Sequence, residues 1–104
     1  MRKITRVGVA GVALVLTSLN SAYAGNPFNG KAPYEKYCMA CHGERGESKL
    51  IGVPNFSRGE AIISSTDPML MKVIKNGKGV MPGFQGQIKD AEMLDVISYL
   101  RTLF

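Results

Sequence analysis

The chain has 104 residues, 45% of them hydrophobic, with 13 basic against 8 acidic side chains and a formal charge of +5. Two cysteines and one histidine cannot supply a tetrathiolate or a second cysteine pair for zinc. Without the amino-terminal Arg2, Lys3 and Arg6, 10 basic residues stand against 8 acidic ones, and that net of +2 carries no nucleic-acid footprint.

Met1 to Ala24 reads as a secretory signal. Arg2, Lys3 and Arg6 form the basic start, Val7 to Leu16 the apolar run, and Ala22-Tyr23-Ala24 the small-x-small cleavage site, so the mature chain begins at Gly25. A retained membrane anchor is the competing reading. The apolar run falls short of the ~20 residues a spanning helix needs and meets Thr17, Ser18, Asn20 and Ser21, which favours cleavage and leaves no membrane span. The remaining 80 of 104 residues form one small domain, 25–104, of a size that usually depends on a disulfide, metal or cofactor for its stability.

Within that domain, Gly25 to Asn29 reads as a short flexible lead-in. A helix begins near Asn29 or Gly30, with Pro33 tolerated in its first turn. Gly30, Tyr34 and Cys38 recur every four residues and share a face, with Tyr37 at its side. Gly43 to Gly59, punctuated by Gly46, Gly52 and Pro54, reads as loop. Thr66 is the expected N-cap of a second helix with Asp67 and Pro68 in its first turn and Asn76-Gly77 as its stop; Met69, Leu70, Val73 and Ile74 make its apolar stripe. Gly77 to Gly86 has neither helical nor strand period. A last helix starts near Asp90, with Leu94, Ile97 and Leu100 inward and Tyr99 and Leu103 flanking. No run alternates long enough for a strand, so the predicted fold class is all-α.

The chemistry concentrates in Cys38-Met39-Ala40-Cys41-His42. Two thiols three positions apart, followed at once by an imidazole, suit thioether attachment of a haem through Cys38 and Cys41 with His42 as iron ligand. A thioredoxin-like dithiol is the alternative, but it calls for a strand before the motif and a βαβ context after it. Zinc would need a carboxylate to complete its ligands. With haem as the staple, the chain is expected to be poorly folded without it. A cleaved signal and a covalent haem together point to the bacterial periplasm.

Thioether sulfur opposite His42 would favour ferrous iron and leave electron transfer as the available chemistry. Of the five methionines after residue 24, Met39 lies inside the pentapeptide, while Met69, Met71 and Met93 lie in helical stretches where methionine fills gaps. Met81 stands in Gly79-Val80-Met81-Pro82-Gly83, a glycine-flanked loop stiffened by Pro82, and is the candidate sixth ligand. The backbone carbonyl of Pro54 is a candidate acceptor for the second ring nitrogen of His42. Lys72, Lys75, Lys78 and Lys89 surround the Met81 segment; they read first as a solvated polar face and second as a weak docking surface for an acidic partner.

Gly30-x-x-x-Tyr34-x-x-x-Cys38-x-x-Cys41-His42-Gly43, Pro54-Asn55-Phe56, Ile74 to Phe84 and Ile97-Ser98-Tyr99-Leu100-Arg101 occur in the order in which a class I monohaem cytochrome c of the small bacterial periplasmic type carries such motifs, and the chain resembles that family across 25–104. The resemblance implies a cytochrome c fold in which the first and last helices cross, Gly30 and Tyr34 meeting Tyr99 and Leu100, with short helices and loops around one covalent haem c. It implies His42 and Met81 as axial ligands, the Pro54 carbonyl as acceptor for His42, and Phe56 and Phe84 as pocket lining. The chain lacks the tryptophan that many relatives place beside the haem propionates. The expected function is that of a periplasmic one-electron carrier between a redox protein donor and acceptor, such as a dehydrogenase or terminal oxidase, with no catalysis of its own. The alternative is a non-catalytic subunit held on a periplasmic flavin- or quinone-dependent dehydrogenase. A peroxidase-like protein would need an open sixth position, against which Met81 argues.

Overall fold

The computed structural model describes Gly11 and residues 25–104; the expected signal sequence, Gly11 apart, lies outside the described residues. Among the described residues four α-helices follow one another: α1 (Pro27–Tyr37), α2 (Met39–His42), α3 (Asp67–Asn76) and α4 (Asp90–Leu100), with a 3₁₀ turn over Phe56–Arg58. Among the described residues the only β features are isolated bridges, Lys78 to Met81 and Gln85 to Ile88, and the all-α class holds. No helix among them is long and apolar enough to cross a membrane.

The first helix starts earlier than its sequence suggests. Asn26 is the N-cap, its side chain accepting the Phe28 N–H at 2.9 Å, and Pro27 takes the first-turn place. Pro33 therefore lies inside α1, where a missing N–H ordinarily costs about 3 kcal/mol. Packing on α4 holds the helix through it: Gly30 and Tyr34 are the buried residues of α1. A Cβ at Gly30 would run into the Asp95 carbonyl and come within 2.9 Å of the Tyr99 Cβ, so only glycine lets the two backbones approach this closely. The rings of Tyr34 and Tyr99 meet beside it at 5.2 Å. The lead-in is not free either, since the Asn26 N–H donates to Asp95 Oδ1 at 2.8 Å.

The later boundaries agree with the sequence. Thr66 Oγ1 accepts the Met69 N–H at 3.4 Å, and α3 stops at Gly77, whose φ of 76° suits glycine. On α3 it is Leu70 and Ile74 that are buried, whereas Met69 is exposed. On α4 the deepest residues are Ile97, Met93 and Val96, with Leu94 only half-buried. Ile62, Phe56 and Ile88, from segments without helical period, complete the core. Arg101, just past α4, ties the helices together: it reaches Asp67 Oδ1 at 2.6 Å and donates to the carbonyls of Ile62 at 3.2 Å and Ser65 at 3.0 Å.

Candidate haem site

The pentapeptide occupies the short turn of helix that follows α1. Cys38 closes α1, its N–H donating to the Tyr34 carbonyl at 2.8 Å, and its own carbonyl then accepts the N–H groups of Cys41 and His42 at 3.2 and 2.9 Å. The chain turns away at Gly43, φ 87°, whose N–H returns to the Met39 carbonyl. The loop beyond folds back over the motif, Ser48 N–H donating to the His42 carbonyl at 2.8 Å and Lys49 N–H to the Cys41 carbonyl at 3.0 Å. From the other side the buried Tyr34 hydroxyl donates to the Gly43 carbonyl at 2.5 Å. Burial holds the Tyr34 phenol well above its usual range, which keeps it a donor. The carbonyls on both sides of the imidazole are thus fixed by bonds from α1 and from the following loop.

Both thiols are free, Cys38 half-buried and Cys41 exposed. Burial pushes Cys38 up to about 11, and the neighbouring Cys41 adds to the rise. His42 is buried and stacks on Phe56 at 4.4 Å with the planes 18° apart. Phe56 is itself held by its N–H to the Gly46 carbonyl at 2.6 Å. Burial lowers the His42 pKa, and the Pro54 carbonyl opposes that shift. Nδ1 is buried, and no hydrogen bond to it meets full geometry among the described residues. A buried imidazole, clamped on one face and enclosed at Nδ1, beside two free thiols on the same helical turn, fits the donor set of a covalently attached haem.

Met81 reaches the apolar core from a separate segment, half-buried, against the same cluster as Cys38 and Tyr37. Its loop is closely framed. Met81 and Lys78 exchange both backbone hydrogen bonds, at 3.0 and 3.1 Å, and the N–H groups of Phe84 and Gln85 donate to the Ile74 and Lys75 carbonyls at the end of α3. A Cβ at Gly77 would strike the Met81 carbonyl, and one at Gly83 would come within 2.5 Å of the Lys75 carbonyl, so the glycines are sterically required. Phe84, buried, meets Tyr37 edge-on at 5.7 Å. Of the four lysines noted around this loop, Lys75 is engaged with Asp90 at 3.0 Å, while Lys72, Lys78 and Lys89 are exposed. The Tyr34 hydroxyl bond to Gly43 and the Arg101 clamp were missed by sequence reasoning. Both side chains sit within recurring motifs, but nothing in residue order shows where their polar ends go.

Residues 25–100 match the family described as cytochrome c oxidase, cbb3-type, subunit III. The chain belongs to this family of c-type cytochromes. Its cofactor is haem c, covalently bound and carrying iron. This cytochrome is 34% identical over 85 residues to cytochrome c6 of Synechocystis sp., an alignment covering 78% of this chain and 68% of that protein. It is 31% identical over 108 residues to the cbb3-type cytochrome c oxidase subunit CcoP of Azospirillum brasilense, with 96% of this chain aligned; the chain spans 37% of the length of that subunit. The fold is that of cytochrome c6 from the diatom Phaeodactylum tricornutum, with a TM-score of 0.63 at 22% identity, over 75% of this chain and 93% of the other.

Proposed function

We propose that this cytochrome is a periplasmic one-electron carrier, its signal removed after Ala24, with haem held by Cys38 and Cys41, iron ligated by His42 and Met81, and the Pro54 carbonyl as acceptor for His42 Nδ1. When bound, haem supplies a one-electron iron couple, whose potential follows axial ligand, burial and second-shell hydrogen bonds. The chain's own residues do the rest. Phe56 stacks on His42 and fixes the plane of its ring, while Tyr34, Ser48 and Lys49 fix the backbone from Cys41 to Gly43. The enclosed Nδ1 calls for an acceptor once the other ring nitrogen binds metal, and the Pro54 carbonyl's opposition to the lowered His42 pKa supports it in that role. The paired Lys78–Met81 backbone and the glycines around it hold Met81 in one place. These roles leave no substrate to be turned over, and the reading is of a carrier without catalysis of its own.

The observation that carries this reading is the buried, stacked His42 on the same pinned turn as two free thiols. Its test is spectroscopic. In holoprotein from a host that attaches haem, the weak red-edge ferric band of sulfur ligation should be present in the wild type and lost in Met81→Ala, with haem still bound covalently by mass; a high-spin ferric wild type would exclude the assignment.

A second reading is favoured by the CcoP relative, of which this chain matches 37%. In it the cytochrome is a subunit held on a larger redox enzyme, an oxidase or a periplasmic dehydrogenase, and passes electrons within that assembly. Size-exclusion of the native protein separates the two, since a carrier elutes as a monomer and a subunit far above it.

A further inference from the structure

The peptide that joins Pro54 to Asn55 is held by a carboxylate from outside the pentapeptide. The Asn55 N–H donates to Glu60 Oε2 at 2.7 Å, and the Glu60 N–H returns to the Asn55 carbonyl at 3.1 Å, where the Arg58 N–H also bonds at 3.2 Å. Ser57 Oγ donates to Asn55 Oδ1 as well. Ala61, next to Glu60, is kept at φ 64°, a left-handed conformation that persists in an L residue only where the surrounding bonds over-determine the turn. Among the described residues no basic side chain shares the Glu60 charge, since the ion pairs are those of Lys31 with Glu35, Lys75 with Asp90 and Arg101 with Asp67.

In this trans peptide the Asn55 N–H and the Pro54 carbonyl leave the amide plane on opposite sides, and amide resonance links them. An anion accepting at the nitrogen shifts electron density onto the oxygen, because hydrogen bonds in series polarise one another. Glu60 accepts at one end. At the other lies His42, whose Nδ1 is buried and whose burial-lowered pKa the Pro54 carbonyl opposes. We propose that Glu60 is a positioning residue for the iron ligand, its carboxylate fixing the Pro54–Asn55 peptide and strengthening the Pro54 carbonyl as acceptor for His42 Nδ1–H. The inference rests on the reading of Pro54 as that acceptor and adds the charge that sets the acceptor's strength.

A stronger acceptor makes the imidazole a more electron-rich ligand, which favours ferric over ferrous iron. The couple therefore lies lower with the carboxylate in place than without it. Glu60 is exposed, but its charge reaches the carbonyl through one hydrogen bond and one amide rather than across solvent. Salt separates the two routes. At ~1 M ionic strength the Debye length is about 3 Å, which screens the direct field of an exposed charge and leaves a 2.7 Å bond in place.

The test uses ferrous holoprotein from a haem-attaching host, with isotope-labelled histidine and proline for NMR. His42 is the chain's one histidine, so its Nδ1–H gives a single resonance, which should couple across the hydrogen bond to the Pro54 carbonyl carbon. Glu60→Ala should move that resonance upfield and raise the midpoint potential, with both shifts retained at ~1 M salt. Glu60→Gln, which keeps an acceptor without the charge, should fall between Glu60→Ala and the wild type. Absence of coupling to the Pro54 carbonyl overturns the acceptor reading itself. Coupling with either the resonance or the potential unmoved in Glu60→Ala, or with shifts that vanish in salt, overturns the role of Glu60 and leaves the acceptor standing. If Glu60→Ala yields no holoprotein, the same two readouts in Glu60→Gln decide.

Discussion

Where α1 crosses α4 the chain closes on itself. Tyr34 and Ile97 are fully buried, Met93 and Val96 nearly so, and Gly30 brings two backbones together. Around the pentapeptide the same chain is arranged differently: among the described residues His42 Nδ1 is buried without a hydrogen-bond partner, Cys38 is a half-buried thiol, and the loops on either side carry Leu50, Ile51 and Val80 exposed. The first region satisfies its own surfaces; the second is shaped for the haem of its family. The two regions share Tyr34, whose ring belongs to the crossing and whose hydroxyl holds the turn beyond His42.

Removing the cofactor probes that contrast most severely. Cys38→Ala together with Cys41→Ala, which prevents attachment, should abolish the cooperative thermal transition of the holoprotein, because a chain this small is marginal without its staple. A haem-free chain melting like the holoprotein would show that the crossing suffices. Gly30→Val comes next. It drives a branched side chain into the Asp95 carbonyl and should cost about 3 kcal/mol in a denaturant titration, while the absorption spectrum of the folded fraction stays that of the wild type. Tyr34→Phe keeps the ring and removes the donor, leaving the buried Gly43 carbonyl with only the Gly46 N–H at 3.3 Å. A loss of about 1 kcal/mol is expected, and an unchanged denaturation midpoint would mean that the hydroxyl bond adds nothing. The smallest effect belongs to Glu47, which accepts the Arg45 N–H at 2.7 Å and whose pKa is lowered chiefly by backbone hydrogen bonds. A depressed carboxyl stabilises above its unfolded value and the contribution is lost as pH falls through the folded one, so Glu47→Gln should flatten only the acid end of the stability profile and leave neutral pH unchanged.

What could be read in residue order followed the range of the forces involved. The Thr66 cap, the Gly77 stop and the Asp90 start are decided by neighbours within four residues, and each lies where the sequence puts it. The pentapeptide is equally local. The start of α1 was misplaced because two prolines competed for the first turn, and Asn26, capping ahead of Pro27, decided for the earlier one. Tertiary packing then carried the helix through Pro33. Contacts spanning much of the chain were illegible: Asn26 to Asp95 across 69 positions, and Arg101 to Asp67 across 34. The same holds for depth in the core, where Met93 and Val96 lie deeper than Leu94 because α4 faces α1 and α3 at once.

The frame around Met81 has a consequence for how quickly charge can be exchanged. Its backbone is paired with Lys78, its loop hangs from the last carbonyls of α3, and Gly77 and Gly83 leave no slack on either side. With Met81 in its proposed role, a sulfur donor carried on so stiff a mount relaxes little between oxidation states, which keeps reorganisation small.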